Sequence, residues 1–447
     1  MINAAQTSLV TWVVAWGIAA VALMFFFSRQ GQATVGLKTL FILSYMLQYW
    51  FGTLIHVLPW YVTNDRYLTY LGMRECSWAL LGFAIGALLI APLFLSFFRF
   101  TWAQGKKFTP HPSLPMICVI TGTLMYVFSP RLLENIPTIR NLSYLSWNFT
   151  VASVCLLSWQ AYAQKNNKLF IGCLIFALFL PFFTTATMGF IGYGTQGTLV
   201  ILAFASVFYR PRAVTFVGML IAVFLGMSLF VTYLRDRDEI RGVVWTGQDM
   251  TVRIDKMMNM IVNFEFIDLQ NQKHLQRIDS RINQNYLVGA AVNYLQNGRE
   301  KFAEGETIVQ SFFGFIPRIL WPDKPITAGG SSQITQYTGI IFSTGTSIGM
   351  GPVMEFYINF GTPLVLIGFM LFGALIAFFD AAAKALLDQG DWAKFLLNFM
   401  LGLSFISPLG YFGEVVMICG ASVFFYVVII KLALPAFTKL KSQAKPQ

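Results

Sequence analysis

The sequence predicts an all-α integral membrane protein with about eleven transmembrane helices and one large non-cytoplasmic insert between spans 8 and 9. The chain of 447 residues is 56% hydrophobic and only 11% charged, whereas a soluble domain carries about 25% charged residues. Its mean hydropathy is +0.62. Apolar runs of about the 20 residues that cross a bilayer recur along the chain, and they stop only between about Leu234 and Pro352.

The apolar runs divide the chain into three parts. An N-terminal bundle of about eight spans covers 1–233, the insert covers 234–352, and a C-terminal bundle of about three spans covers 353–447 and ends in a basic tail. The seventh run is short, and its helix begins nearer Phe190 if it is tilted or broken. The predicted spans are 8–28, 38–62, 76–98, 113–129, 142–163, 168–187, 196–209, 213–233, 353–379, 395–409 and 412–434.

The charges between the spans predict the orientation. The net charge is +11. In a membrane protein such a charge is explained first by Lys and Arg in the cytoplasmic loops rather than by nucleic-acid binding. One set of loops, together with the C-terminal tail, holds 15 Lys or Arg against three Asp, while the short opposite loops hold four Arg against three acids. Cytoplasmic loops carry an excess of Lys and Arg. The sequence therefore predicts an outside N-terminus, a cytoplasmic C-terminus and a non-cytoplasmic insert.

Several chemistries have no motif in this chain. The five cysteines lie in or beside apolar runs without a C-x-x-C pair, so neither a disulfide framework nor a zinc site is predicted. We find no P-loop, HExxH motif or nucleophile elbow. Asp236 and Asp238 have the spacing of a nucleotide-sugar metal site, but arginines surround them. We therefore expect no metal and no cofactor.

The insert is rich in arginine. It contains eight Arg and four Lys against twelve Asp or Glu. A planar guanidinium grips phosphate or carboxylate with two parallel hydrogen bonds, whereas Lys acts as a point charge. The pattern favours a phosphate or acidic-sugar ligand, although the nearly balanced charges also fit surface salt bridges. Arg235 and Arg241 follow the eighth span and Arg318 lies in a Pro- and Trp-rich segment, so these three are the strongest candidates; Arg237 and Lys324 are further candidates.

Other polar and aromatic residues complete the predicted site. Glu355, at the outer end of the ninth span, is a candidate to accept a proton from an acceptor hydroxyl, or alternatively to pair with an insert arginine. Trp321 and Tyr357 are candidates to stack on sugar rings, with anchoring at the membrane interface as the equal alternative. His56 lies inside the second span, where a neutral histidine bonded to a neighbouring helix is the favoured interpretation.

Two strings resemble a known family. The run FIPRILWPDKP at 315–325 resembles a signature of bacterial oligosaccharide repeat-unit polymerases, the Wzy family, and GMGPVMEFYINFG at 349–361 is similar to the segment that opens the family's next span. Span number, insert position and orientation also resemble this family. Arg318 and Gly329 match its Arg-to-Gly spacing of eleven residues. Where many relatives have Gly-x-Arg before the seventh span, this chain has Gln196, which hydrogen-bonds phosphate or sugar but does not neutralise charge.

The resemblance implies a polymerase in the bacterial inner membrane. Such enzymes join repeat units carried on undecaprenyl pyrophosphate at the periplasmic face, without a metal. A sugar hydroxyl of the incoming lipid-linked unit attacks the anomeric carbon of the growing glycan, and arginines stabilise the departing pyrophosphate. The insert would then be periplasmic and catalytic. A chain-length regulator and a flippase are the partners that the resemblance implies, and nucleic acid is not among them.

Two alternative functions remain open from the sequence. An O-antigen ligase shares the architecture but places a catalytic histidine in the outer loop, where His274 is the available candidate. A transporter or flippase of lipid-linked oligosaccharides predicts charged residues through the spans and internal symmetry. The nearly charge-free spans favour the polymerase over the transporter.

Overall fold

The computed structural model describes residues 2–29, 33–97, 108, 111–132, 137–208, 213–313, 321, 331–342 and 348–427. The structure is 83% helix and contains no strand in these ranges, so the predicted all-α class is confirmed. The helices are α1 Ile2–Arg29, α2 Leu37–Tyr45, α3 Phe51–Val57, α4 Arg66–Ile85, α5 Ala91–Phe97, α6 Leu114–Leu132, α7 Pro137–Ala163, α8 Asn167–Met188, α9 Ile191–Phe208, α10 Ala213–Trp245, α11 Met250–Val262, α12 Gln272–Ile282, α13 Gln284–Gln296, α14 Glu306–Phe313, α15 Ser331–Thr338, α16 Gly351–Gln389, α17 Trp392–Ser404 and α18 Phe412–Phe425.

Six apolar helices of the described ranges are long enough to cross a bilayer, which makes the chain a multi-pass membrane protein. Two of them are continuous rods in which a π-helical turn joins two α-helices, α2 to α3 and α4 to α5. Each of the other five predicted spans overlaps a helix, but the count of eleven stays a prediction. The six segments are Thr7–Arg29, Leu37–Val57, Arg66–Phe97, Asn167–Met188, Ile191–Phe208 and Gly351–Gln389.

The polar insert is built onto the bundle. Helix α10 runs unbroken across the predicted boundary at 233/234. Helix α13, wholly within the insert, packs closely along α4 and also contacts α16. Glycines permit this approach: a Cβ on Gly289 would lie 1.7 Å from the Leu68 carbonyl oxygen, and one on Gly72 would lie 2.0 Å from that of Asn285. The insert is therefore anchored by backbone-to-backbone packing.

Helix α16 is broken near its first third. Phe360 and Gly361 have non-helical backbone angles, and Gly361 has a φ of 67° that favours glycine. Pro363 follows, and its missing N–H and fixed φ suit the first turn of the second half-helix. The predicted ninth span is therefore two half-helices, and Glu355 and Tyr357 lie on the shorter one.

Charges that the sequence assigned to loops are paired inside the bundle. Asp380 is fully buried and lies 3.3 Å from the Lys38 ammonium, and it also accepts hydrogen bonds from the Thr34 hydroxyl and the Leu37 amide at the start of α2. The predicted third span begins at residue 76, but α4 begins at Arg66, so the pair formed by Arg74 and Glu75 lies within that helix.

Candidate functional site

Arg235 is held by carboxylates of the protein itself. Its guanidinium binds both oxygens of Asp236 at 2.7 and 2.8 Å, Glu265 at 2.5 Å and the Asn263 carbonyl at 2.9 Å. The hydrogen bond from Arg235 lowers the pKa of Glu265. His274 and Arg277 approach the same carboxylate at 3.4 and 3.8 Å. The Arg235 guanidinium therefore already has the partners that a phosphate would supply.

Two further arginines cap the C-terminal end of α8. Arg241 donates to the Gly189 carbonyl at 3.2 Å and lies over the Phe190 ring at 4.2 Å. Arg253 is buried and donates to the carbonyls of Gln248 and Ala186. The bonds to the Gly189 and Ala186 carbonyls satisfy groups that the end of α8 leaves unpaired. Arg241, one of the sequence's strongest candidates, therefore contacts the end of α8, and its role in a reaction stays a prediction.

Arg237 and Arg281 form a different arrangement. Desolvation, followed by the charge of Arg237 on α10, lowers the pKa of the Arg281 guanidinium on α12, and the charges of Asp238 and Tyr233 oppose this shift. Arg237 lies 3.5 Å from Asp238, whose side chain is 95% exposed. No carboxylate of the described residues lies within ion-pair distance of Arg281. The phenol of Tyr233 lies beside both arginines. We call this set, Tyr233, Arg237 and Arg281, the arginine pair site.

The arginine pair site is suited to an anion. The positive charges of Arg237 and Arg281 act on each other, and like charges are unfavourable until a negative group neutralises them. Asp238 is too exposed to neutralise both. Arg281 is only one of eight arginines in the insert, and no spacing rule connects it with Arg237 on a different helix.

Glu355 holds a junction of helices. It is 1% exposed and accepts a hydrogen bond from the Phe412 amide at 2.5 Å and one from the Thr307 hydroxyl. The Asn359 amide, one turn later, donates to the Thr307 oxygen at 2.7 Å and accepts from the Gly305 amide at 2.9 Å. The junction therefore ties α16 to the start of α18 and to the loop before α14. No arginine of the described ranges pairs with Glu355.

The aromatic and amide candidates lie apart from one another. Tyr357 is buried, and its hydroxyl accepts from the Gln296 amide at 3.4 Å. The Trp321 ring lies 5.9 Å from that of Phe313, edge to face. Gln196 donates to the Ile406 carbonyl at 3.2 Å and lines a cavity of about 20 Å³ between α7, α9, α17 and α18, which has room for about one water. Arg318 and Lys324 lie outside the described residues.

The two histidines of the sequence analysis both have protein partners. His56 is fully buried, and its Nε2 lies 2.7 Å from Asp279 on α12, as the favoured interpretation predicted. Asp279 also accepts from Tyr61 and Asn283, each at 2.7 Å. His274 accepts a hydrogen bond from the Asp268 amide. The Asp279 cluster therefore fixes α12, which carries Arg281, against the end of α3.

Comparison with known proteins places the chain in a family. No curated protein and no solved structure matches it. In the described ranges, no group of His, Cys, Asp and Glu is arranged to hold a metal ion. A family model described as Domain of unknown function (DUF8712) matches residues 89–391, which is more than half of the 447 residues and includes α10, α12 and all of α16. The chain therefore belongs to the DUF8712 family.

Proposed function

We propose that this protein is a polysaccharide polymerase of the bacterial inner membrane, a metal-independent glycosyltransferase that joins oligosaccharide repeat units carried on undecaprenyl pyrophosphate. The arginine pair site carries the proposal, because it offers two incompletely neutralised guanidiniums where the eighth predicted span enters the insert. The resemblance of 315–325 and 349–361 to the Wzy family supports the same reaction. In this proposal eleven spans place the insert and the N-terminus in the periplasm and the C-terminus in the cytoplasm.

The reaction breaks one bond and forms one. The bond between the anomeric carbon of the growing glycan and its pyrophosphate oxygen breaks, and the electron pair stays with the pyrophosphate. The acceptor hydroxyl of the incoming lipid-linked unit forms the new glycosidic bond and loses its proton to solvent or to a nearby base. Negative charge on the leaving pyrophosphate grows as the bond breaks, so Arg237 and Arg281 bind the transition state more strongly than the bound donor.

The remaining candidates support this site in different ways. We assign Arg235 and Arg241 to holding α10 against its neighbours, because Arg235 binds Glu265 and the Arg241 Nε donates to the Gly189 carbonyl. We assign Glu355 to positioning, because Phe412 and Thr307 occupy its carboxylate. Pyrophosphate is a stable leaving group, so the mechanism does not depend on Glu355 as a base. Arg318 and Lys324 remain further candidates for the same pyrophosphate.

The proposal is tested by glycan analysis in a strain that lacks the gene. A polymerase mutant accumulates single repeat units on the lipid carrier, and restoring the wild-type gene restores long chains. Intact long chains that remain unattached would instead identify a ligase, and repeat units trapped on the cytoplasmic side would identify a flippase. Arg281→Ala in the restored gene should shorten or abolish the polymer. Arg299→Ala is the matched control in the same insert, because Arg299 lies over the Tyr294 ring at 5.7 Å.

A further inference from the structure

The end of α11 and the chain after it expose an apolar surface. Over 258–269, which we call the apolar belt, Val262 is 77% exposed and Phe266 is 62% exposed. Met258, Ile261 and Leu269 are also exposed. Large apolar side chains grouped on a surface indicate an interaction site. The partner of the belt must therefore be apolar, and the position of the belt on the bundle indicates what that partner is.

The apolar belt lies along an exposed apolar stretch of α10. The Phe266 ring stacks on that of Phe224, with centroids 6.1 Å apart and planes 14° from parallel. Phe224 lies in an apolar stretch of α10 that includes the exposed Ile221 and Leu225, within the eighth predicted span. The exposed apolar surface of this helix therefore continues without interruption onto Phe266.

The backbone of the belt is suited to an apolar environment. Irregular backbone enters a membrane only where its polar groups have partners. The Thr232 hydroxyl accepts from the Glu265 amide at 3.1 Å, and the Ser228 hydroxyl accepts from the Ile267 amide at 3.0 Å. Both hydroxyls lie on α10, so this helix supplies bonds that water would otherwise supply.

The far end of the belt has an interfacial anchor. The Trp60 indole donates to the Leu269 carbonyl at 2.7 Å while its ring is 47% exposed. Tryptophan in this amphipathic setting is typical of the membrane–water boundary. The belt has two acids: Glu265 is bound by Arg235, and the exposed Asp268, which accepts from the Gln270 amide at 2.8 Å, lies next to Leu269 at the end that Trp60 marks.

We propose that the apolar belt is seated in the bilayer, with Val262 and Phe266 in contact with acyl chains. The occupant is lipid because the surface continues the exposed apolar side of α10, carries an interfacial tryptophan at its end and has α10 hydroxyls as partners for two of its backbone amides. Seating the belt fixes the depth of α11 and of the following α12 at the membrane surface. This proposal does not depend on the polymerase reaction.

The test measures how often nitroxide spin labels on the protein collide with oxygen and with a water-soluble nickel complex. The chain is reconstituted in nanodiscs of phosphatidylethanolamine and phosphatidylglycerol, with nitroxides on Val262→Cys and on Phe266→Cys. Four of the five native cysteines are buried, and Cys419→Ser removes the other one. Ile221→Cys is the lipid-facing control, and Gln276→Cys on the exposed face of α12 is the aqueous control.

The expected result is that both belt labels collide more with oxygen than with a water-soluble nickel complex, as the Ile221 label does. Greater collision with nickel, as at Gln276, would show that the belt faces water and would overturn the proposal. Low collision with both reagents would show that protein covers the belt, either a second copy or a partner, and would also overturn it.

Discussion

Arg281→Met and Arg235→Met are expected to give opposite results, although both remove one arginine from the insert and leave a side chain of similar length. Arg281 has no carboxylate within ion-pair distance among the described residues and has Arg237 as a neighbour. Arg235 has the carboxylates of Asp236 and Glu265 as partners. Replacing a residue that serves binding should lower activity without lowering stability. Replacing a residue that serves the fold should lower stability, and activity only through the folded fraction.

The magnitudes follow from these contacts. Losing Arg235 leaves the Asp236 carboxylate, 25% exposed, without its ion pair and leaves Glu265, 37% exposed, with only the more distant His274 and Arg277. With solvent screening we therefore expect a loss of about 1 kcal/mol in unfolding free energy. Losing Arg281 removes a repulsion near the surface, so we expect a change within about 0.5 kcal/mol of zero. Losing one transition-state contact slows a reaction roughly 10²–10³-fold, which we expect for Arg281→Met.

The assay pairs thermal unfolding in detergent with polymer length in a strain that carries each variant. Arg281→Met should unfold at the wild-type temperature and make little polymer, and Arg235→Met should unfold earlier and retain polymer in proportion to the folded fraction. Polymer of wild-type length in the strain that carries Arg281→Met would show that Arg281 has no part in the mechanism. A fall in unfolding temperature that accounts for its whole loss of polymer would reassign Arg281 to structure.

Three further outcomes are expected. The pKa of Glu265 is lowered in the folded protein, so the pairing of Glu265 stabilises the fold fully above the ordinary pKa of 4.5. This stability is lost as pH falls through the lowered pKa. Unfolding temperatures measured below pH 5 should therefore fall less steeply in Glu265→Gln than in wild type. Gly289→Ala should cost about 1–3 kcal/mol, because its Cβ meets the Leu68 carbonyl, whereas Gly242→Ala, with open space around it, should be neutral or slightly stabilising in the same unfolding assay. Asp279→Asn should lower the unfolding temperature by weakening a charged acceptor shared by three side chains, with a loss of about 1–3 kcal/mol, and an unchanged temperature would contradict that role.

The sequence alone predicted the helices well because lipid imposes a simple rule. Each backbone polar group in hydrocarbon needs an internal partner, so a long apolar run becomes a helix whatever packs around it. The short seventh run illustrates this, since its helix begins at Ile191, next to the Phe190 start considered from the sequence. The preference for His56 bonded to a neighbouring helix was also confirmed.

What the tertiary structure decided is which charges are available. Composition marked the insert as rich in arginine, but it did not distinguish Arg235, held by Glu265, from Arg281, beside Arg237. It also counted Lys38 and Asp380 as loop charges, although they pair inside the bundle. The periodicity of one helix determines which side chains share its face, whereas the neutralisation of a charge depends on residues that folding brings from other helices, as α10 and α12 bring Arg237 to Arg281.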